Sequence, residues 1–81
     1  MSTEAQRNVT YRKILPLLKK MREESGLSQR ALGRKLRKSQ NWVSRTETGG
    51  RRIDVLEFAD WAVACEVDPI RAIEVVTRLC D

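Results

Sequence analysis

Apolar residues recur at helical spacing in five successive stretches of the chain. In the first, Ile14, Leu17, Leu18 and Met21 share one face, predicting a helix from about Tyr11 or Arg12 to Ser25, ended by Gly26. Pro16 leaves two starts open, because proline is comfortable only in a first turn. Either the regular helix begins close to Ile14, or an extra turn precedes it with a kink. A second helix is expected over 29–36. Ser28 is placed to N-cap it, Leu27 and Leu32 can form a hydrophobic staple, and Leu32 and Leu36 share a face. A third is expected over about 40–48, with Ser39 as its cap, Val43 as its inward anchor and Gly49 at its end. The fourth begins at Asp54, which forms a capping-box pattern with Glu57, while Ile53 and Phe58 make the staple. Its inward face reads as Val55, Phe58, Ala59, Ala62 and Cys65, with Trp61 adding bulk beside it. The fifth starts at Asp68 and Pro69, a favoured cap and first position, and runs to about Leu79. The pattern therefore predicts an all-α, compact five-helix bundle, with a disordered tail over residues 1–9 and a folded domain over 10–81.

Two features depart from a plain bundle. Ile70, Ala72, Ile73, Val75, Val76, Leu79 and Cys80 cover more of the fifth helix than one core-facing stripe requires. One side can close the core; the surplus, with Ile73, Val76 and Leu79 foremost, predicts a dimer contact. The other reading of that surplus is a frayed terminus. The second and third helices are separated by only about three residues, the spacing of a helix-turn-helix.

Charge sharpens this picture. The net charge is +5, but residues 1–52 hold 14 Lys/Arg against 4 Asp/Glu (+10), and residues 53–81 hold 2 against 7 (−5). A basic half that contains the paired short helices points to a polyanionic partner. Eighty-one residues make one small domain whose core is modest, so a second subunit would help it. No apolar run approaches the ~20 residues of a membrane span. The N-terminus carries Glu4 and no apolar signal-peptide core, so a cytoplasmic location is expected. The chain has no histidine, and Cys65 and Cys80 lack metal-ligand spacing. With no phosphate-binding loop either, no catalytic constellation is available. No enzyme activity, metal or cofactor is expected, and Cys65 reads as a buried, reduced thiol.

The run from Leu27 to Gly49 resembles the helix-turn-helix family of lambdoid phage repressors and Cro proteins, also called the xenobiotic-response-element family. The carrying residues are Leu27-Ser28-Gln29, Leu32, Leu36, Ser39, Val43-Ser44-Arg45, and Glu47 followed by Gly49. The likeness continues through Arg51-Arg52-Ile53-Asp54-Val55 to Val67-Asp68-Pro69 and covers roughly residues 14 to 69. No single piece is specific; the order and spacing together are. The resemblance implies a lambda-repressor-like fold, and an ion pair between Arg22 and Glu47. There are two departures. Arg37 stands where the family usually has a turn glycine, so a left-handed backbone there would cost about 1 kcal/mol. Gly33 stands where alanine is usual, either as a weak point of its helix or as a place where the third helix crosses closely.

The functional expectation follows. With Val43 inward, Gln40, Asn41, Ser44 and Arg45 fall on the opposite side of the third helix. Gln and Asn can read adenine in a bidentate manner, and Arg reads guanine. Family members use the positions matching Gln40, Asn41 and Arg45 to touch bases. Gln29, Lys38, Ser39, Arg51 and Arg52 are expected to hold phosphates, setting register rather than sequence preference. Arg7, Arg12 and Lys13 could also reach the phosphate backbone, although a solvated tail explains Arg7 as well. Trp42 either packs over the corner of the second and third helices or leans on the sugar-phosphate. The expected function is sequence-specific double-stranded DNA binding by a homodimer, as a transcriptional repressor or autoregulator at a roughly palindromic operator. Alternatives are an antitoxin that neutralises a protein toxin while repressing its own operon, and a controller or activator of a phage or restriction-modification system.

Overall fold

The computed structural model describes residues 9–80, and these fold entirely into helices and short connections. The tail, apart from Val9, lies outside the described residues, as does Arg7. Residues 9–12 are helical and lead through a turn at 13–14 into α1, Leu15–Glu24, followed by α2, Gln29–Leu36, α3, Gln40–Thr48, α4, Val55–Ala64, and α5, Pro69–Leu79. Pro16 sits in the first turn of α1, where its missing N–H is no loss. The two alternatives at this proline thus combine: the regular helix starts at Leu15, and a separate helical turn precedes it.

Polar caps set the other starts. The Ser28, Ser39 and Asp68 side chains accept from the backbone N–H groups of Ala31, Trp42 and Ile70. Asp54 and Glu57 form a reciprocal capping box, with bonds of 2.7 and 3.0 Å.

The core gathers Leu15, Leu18 and Met21 from α1, Leu32 from α2, Val43 from α3, Phe58, Trp61 and Ala62 from α4, Cys65 just beyond it, and Ala72 from α5. Trp61 is fully buried and its indole N–H donates to the Leu18 carbonyl at 3.1 Å. It is the centre of the core rather than bulk beside the inward face. That carbonyl satisfies the one polar atom a buried tryptophan brings. Val55, by contrast, is 69% exposed and not inward. The inward stripe of α4 runs Phe58, Trp61, Ala62, Cys65, and the first turn overhangs the edge of the core. There Val55 lines a shallow groove with Ile73 and Val76 of α5.

The turn between α2 and α3 is unusually constrained. Arg37 adopts a left-handed backbone (φ 58°, ψ 42°), and the Lys38 N–H returns to the Gly33 carbonyl at 2.8 Å, closing α2 in the Schellman manner. Gly33 is explained by the same turn. A β-carbon there would lie 2.7 Å from the Lys38 carbonyl oxygen and 3.3 Å from Ser39 backbone atoms. The close neighbour is therefore the turn and the cap of α3, not the body of that helix. α2 packs most extensively on α3; α1 supports α3, and α4 holds both α2 and α5.

Candidate nucleic-acid interface

α3 divides cleanly into a packed side and a wet side. Val43, Thr46 and Glu47 are buried, whereas Gln40, Asn41 and Arg45 are exposed and Ser44 is half-buried between them. At one end the helix is capped by Ser39; at the other, Gly49 takes a left-handed conformation (φ 87°) that an L side chain rarely adopts.

The packed side is anchored by charge. Arg22 of α1 meets Glu47 in a two-pronged pair, Nε to Oε2 at 2.6 Å and Nη2 to Oε1 at 3.1 Å. The two side chains are only 10% and 4% exposed. A third guanidinium N–H donates to the Leu27 carbonyl at 2.9 Å, and the Gln29 amide donates to Glu47 Oε1 at 3.0 Å. Hydrogen bonding to Glu47 raises the Arg22 pKa, outweighing the opposing effect of burial. The orientation of α3 against α1 and α2 is thus set by a carboxylate on its own inward face.

The expected phosphate ligands separate into two kinds. Lys38, Ser39 and Arg52 are exposed beside α3. Gln29 is half-buried and already bonded to Glu47, although an amide NH2 keeps a second donor. Arg51, expected to clamp phosphate from the loop, also makes bonds within the protein. Its guanidinium reaches both Glu57 oxygens at 3.1 and 3.2 Å, approaches the Thr46 hydroxyl at 3.4 Å, and lies 4.5 Å from the Trp42 ring centroid. A cation placed over an aromatic face and paired with a carboxylate is held by the protein itself. Trp42 accordingly packs over the corner of α2 and α3. It is half-buried, 6.3 Å from Trp61 between ring centroids, with Lys38 Nζ 5.3 Å from its own.

Three contacts were not visible from residue spacing. Glu57 serves both the cap of α4 and Arg51, and the path of the loop between α3 and α4 brings those groups together. Tyr11 accepts a hydrogen bond from the Ile53 N–H at 2.8 Å, and the Arg52 guanidinium lies 4.4 Å from its ring centroid. On the wet side of α3, Arg45 donates to the Gly50 carbonyl at 3.1 Å, and the Thr48 hydroxyl donates to the Ser44 carbonyl at 3.1 Å.

Away from this surface, Ile73 and Leu79 are 39% and 37% exposed, and Val76 is half-buried. Ile73 and Val76 border an apolar groove of about 280 Å³, which Tyr11, Ile53 and Phe58 also line. Cys65 is buried, and burial pushes its thiol pKa up; Cys80 is exposed. Among the described residues, no helix is long and apolar enough to cross a membrane, and no group of acidic or sulfur ligands could hold a metal ion.

A family profile for a helix-turn-helix domain matches residues 17–81. Among solved structures, an XRE-family like protein from Pseudomonas syringae pv. tomato str. DC3000 superposes with a TM-score of 0.84 at 32% identity, over 93% of this chain and 92% of that one. Comparison with curated proteins gave no match.

Proposed function

Because the chain belongs to the XRE/Cro-like helix-turn-helix family and is a DNA-binding regulator of transcription, we propose that it acts as a homodimeric repressor of a palindromic operator, its own promoter included. The observation that carries this reading is the division of α3. Its packed side is fixed by Val43, Thr46 and the Arg22–Glu47 pair, leaving Gln40, Asn41, Ser44 and Arg45 free of any core role.

In the proposed complex α3 enters the major groove, with Gln40 and Asn41 near its N-terminal end against base edges. Each can pair bidentately with adenine, and Arg45 with guanine. The Ser39 hydroxyl caps α3 as an acceptor, so its own proton remains available to a phosphate oxygen. Lys38, Arg52 and the second amide proton of Gln29 add phosphate contacts. Arg51 supports Trp42 and the α4 cap instead. Two subunits joined through Ile73, Val76 and Leu79 of α5 would set their α3 helices against half-sites about one helical turn, ~34 Å, apart. Bound across a promoter, such a dimer excludes polymerase.

Reading and holding are separable by mutation. On an operator recovered from a randomised duplex pool, Asn41→Ala should cost ~1–3 kcal/mol, with relaxed preference at one position per half-site. On mixed-sequence DNA it should cost little. Arg52→Ala should weaken both DNAs alike and flatten the salt dependence by about one unit per contact removed. Equal loss on both DNAs for Asn41→Ala would make it a phosphate contact and undo the proposed orientation of α3.

A further inference from the structure

We propose that Arg51 is a positioning residue for base recognition: it anchors the loop behind α3, so that the Gly50 carbonyl holds the Arg45 guanidinium in place before DNA arrives. The proposal rests on the reading of Arg45 as a base contact.

Arg45 lies on the exposed side of α3, and a long side chain there has rotamer freedom to lose on pairing with a base. The loop that follows the helix folds back on it. The Gly50 and Arg51 N–H groups both donate to the Arg45 carbonyl, at 2.8 and 3.3 Å. A β-carbon at Gly50 would lie 3.6 Å from Arg45 Cβ and Nε, so the loop runs close along the arginine stem. The Gly50 carbonyl in turn accepts from Arg45 Nη2 at 3.1 Å. That bond uses one of the five guanidinium N–H donors, and a bidentate pair with guanine needs two. An acceptor restrains a side chain only if it is itself fixed. Arg51, the next residue, supplies that anchor. Its guanidinium spans both Glu57 oxygens on α4 and stacks 4.5 Å from the Trp42 ring centroid on α3, with the Thr46 hydroxyl at 3.4 Å. The Arg51 and Glu57 side chains are only 25% and 23% exposed. Gly50 is therefore held between the last turn of α3 on one side and an anchor on two helices on the other.

The test uses the full chain and an operator recovered from a randomised duplex pool. Arg45→Ala assigns the base: it should relax preference at one position per half-site, a loss of roughly 5- to 150-fold there. Immobilising one rotamer-rich side chain at an interface costs binding about 2- to 12-fold. Arg51→Met keeps an apolar stem for Trp42 but removes the anchor. It should therefore weaken operator binding about 2- to 12-fold per subunit. Binding to a duplex substituted at the assigned position should stay as it was, and so should the log–log salt slope. In the Arg45→Ala background, Arg51→Met should have almost no further effect. The unmodified, DNA-free protein gives a measurement that needs no variant to fold. In solution NMR the heteronuclear NOE of the Arg45 Nε–H group should approach backbone values and exceed those of the exposed Arg30 and Arg34.

Equal loss on operator and substituted duplex for Arg45→Ala would refute the base-reading role of Arg45. A normal Arg45→Ala result, together with an Arg51→Met variant that loses stability but keeps the full preference at the assigned position, would overturn the positioning role alone. An Arg51→Met loss shared by both duplexes, with a lower salt slope, would make Arg51 a phosphate contact and overturn it as well. So would an Arg45 Nε–H group as mobile as those of Arg30 and Arg34.

Discussion

Replacing Glu47 by alanine removes three hydrogen bonds at once, two from Arg22 and one from Gln29. It leaves the Arg22 guanidinium in a site where the side chain is 10% exposed, with the Leu27 carbonyl as its remaining acceptor. Breaking one side of a buried pair typically costs ~3–5 kcal/mol, because a charge is stranded away from water. A domain of this length has a total stability of about 4–12 kcal/mol, so Glu47→Ala should remove a quarter or more of it. With a urea dependence near ~1 kcal/mol per molar for a small protein, the unfolding midpoint should fall by ~3 M or the variant should be unfolded in buffer. The paired replacement Arg22→Met with Glu47→Leu tests the cause. It removes both charges together, and exchanging a buried pair for apolar side chains is often neutral or stabilising. The double variant should therefore be more stable than Glu47→Ala. Where Glu47→Ala still folds in the cold, its DNA affinity should remain close to that of the unmodified protein, since Glu47 lies on the packed side of α3. A midpoint within ~0.5 M of the unmodified one would refute the stranded-charge reasoning. A double variant weaker than the single would do the same.

Three further substitutions probe the turn and the dimer. Arg37→Gly should raise stability by about 1 kcal/mol, relief of a left-handed L residue exceeding the entropy glycine adds to the unfolded chain, and lift the melting temperature by roughly 4–8 °C; a lower melting temperature would contradict the strain. Gly33→Ala should destabilise by about 1–2 kcal/mol despite its better helix propensity, because the new methyl meets the Lys38 carbonyl at 2.7 Å; a urea midpoint that rises would show that the turn yields easily. Ile73→Asp should convert the proposed dimer to a monomer in sedimentation equilibrium while keeping its helicity, since an unpaired carboxylate in an apolar contact is costly; a variant that stays dimeric would move the interface away from α5.

Helix boundaries were legible because capping is local chemistry. Ser28, Ser39, Asp54 and Asp68 each sit two or three residues before the N–H they accept, and a sequence displays that spacing directly. The outward set on α3 was legible for a similar reason: one inward anchor, Val43, fixes the rotation of a short helix. Arg51 was not. Its partners Trp42, Thr46 and Glu57 lie on two helices, and the path of the loop between them decides which of these the guanidinium meets. Val55 and Trp61 were misplaced because periodicity gives a stripe but not where the core ends along it. The reason for Gly33 lay in the path of the chain at Lys38 and Ser39, which no helical repeat encodes.

The division of labour on α3 also bears on how such a protein changes its target over evolutionary time. Gln40, Asn41 and Arg45 contribute nothing to the core, and the residues that hold the helix, Val43, Thr46 and Glu47, face away from solvent. Substitutions in the first group can accumulate without eroding the second. Stability therefore does not restrict which bases are recognised. A lineage can drift from one operator to another through intermediates that all remain folded, and a single scaffold can be retargeted by exchanging three or four side chains on one helical face.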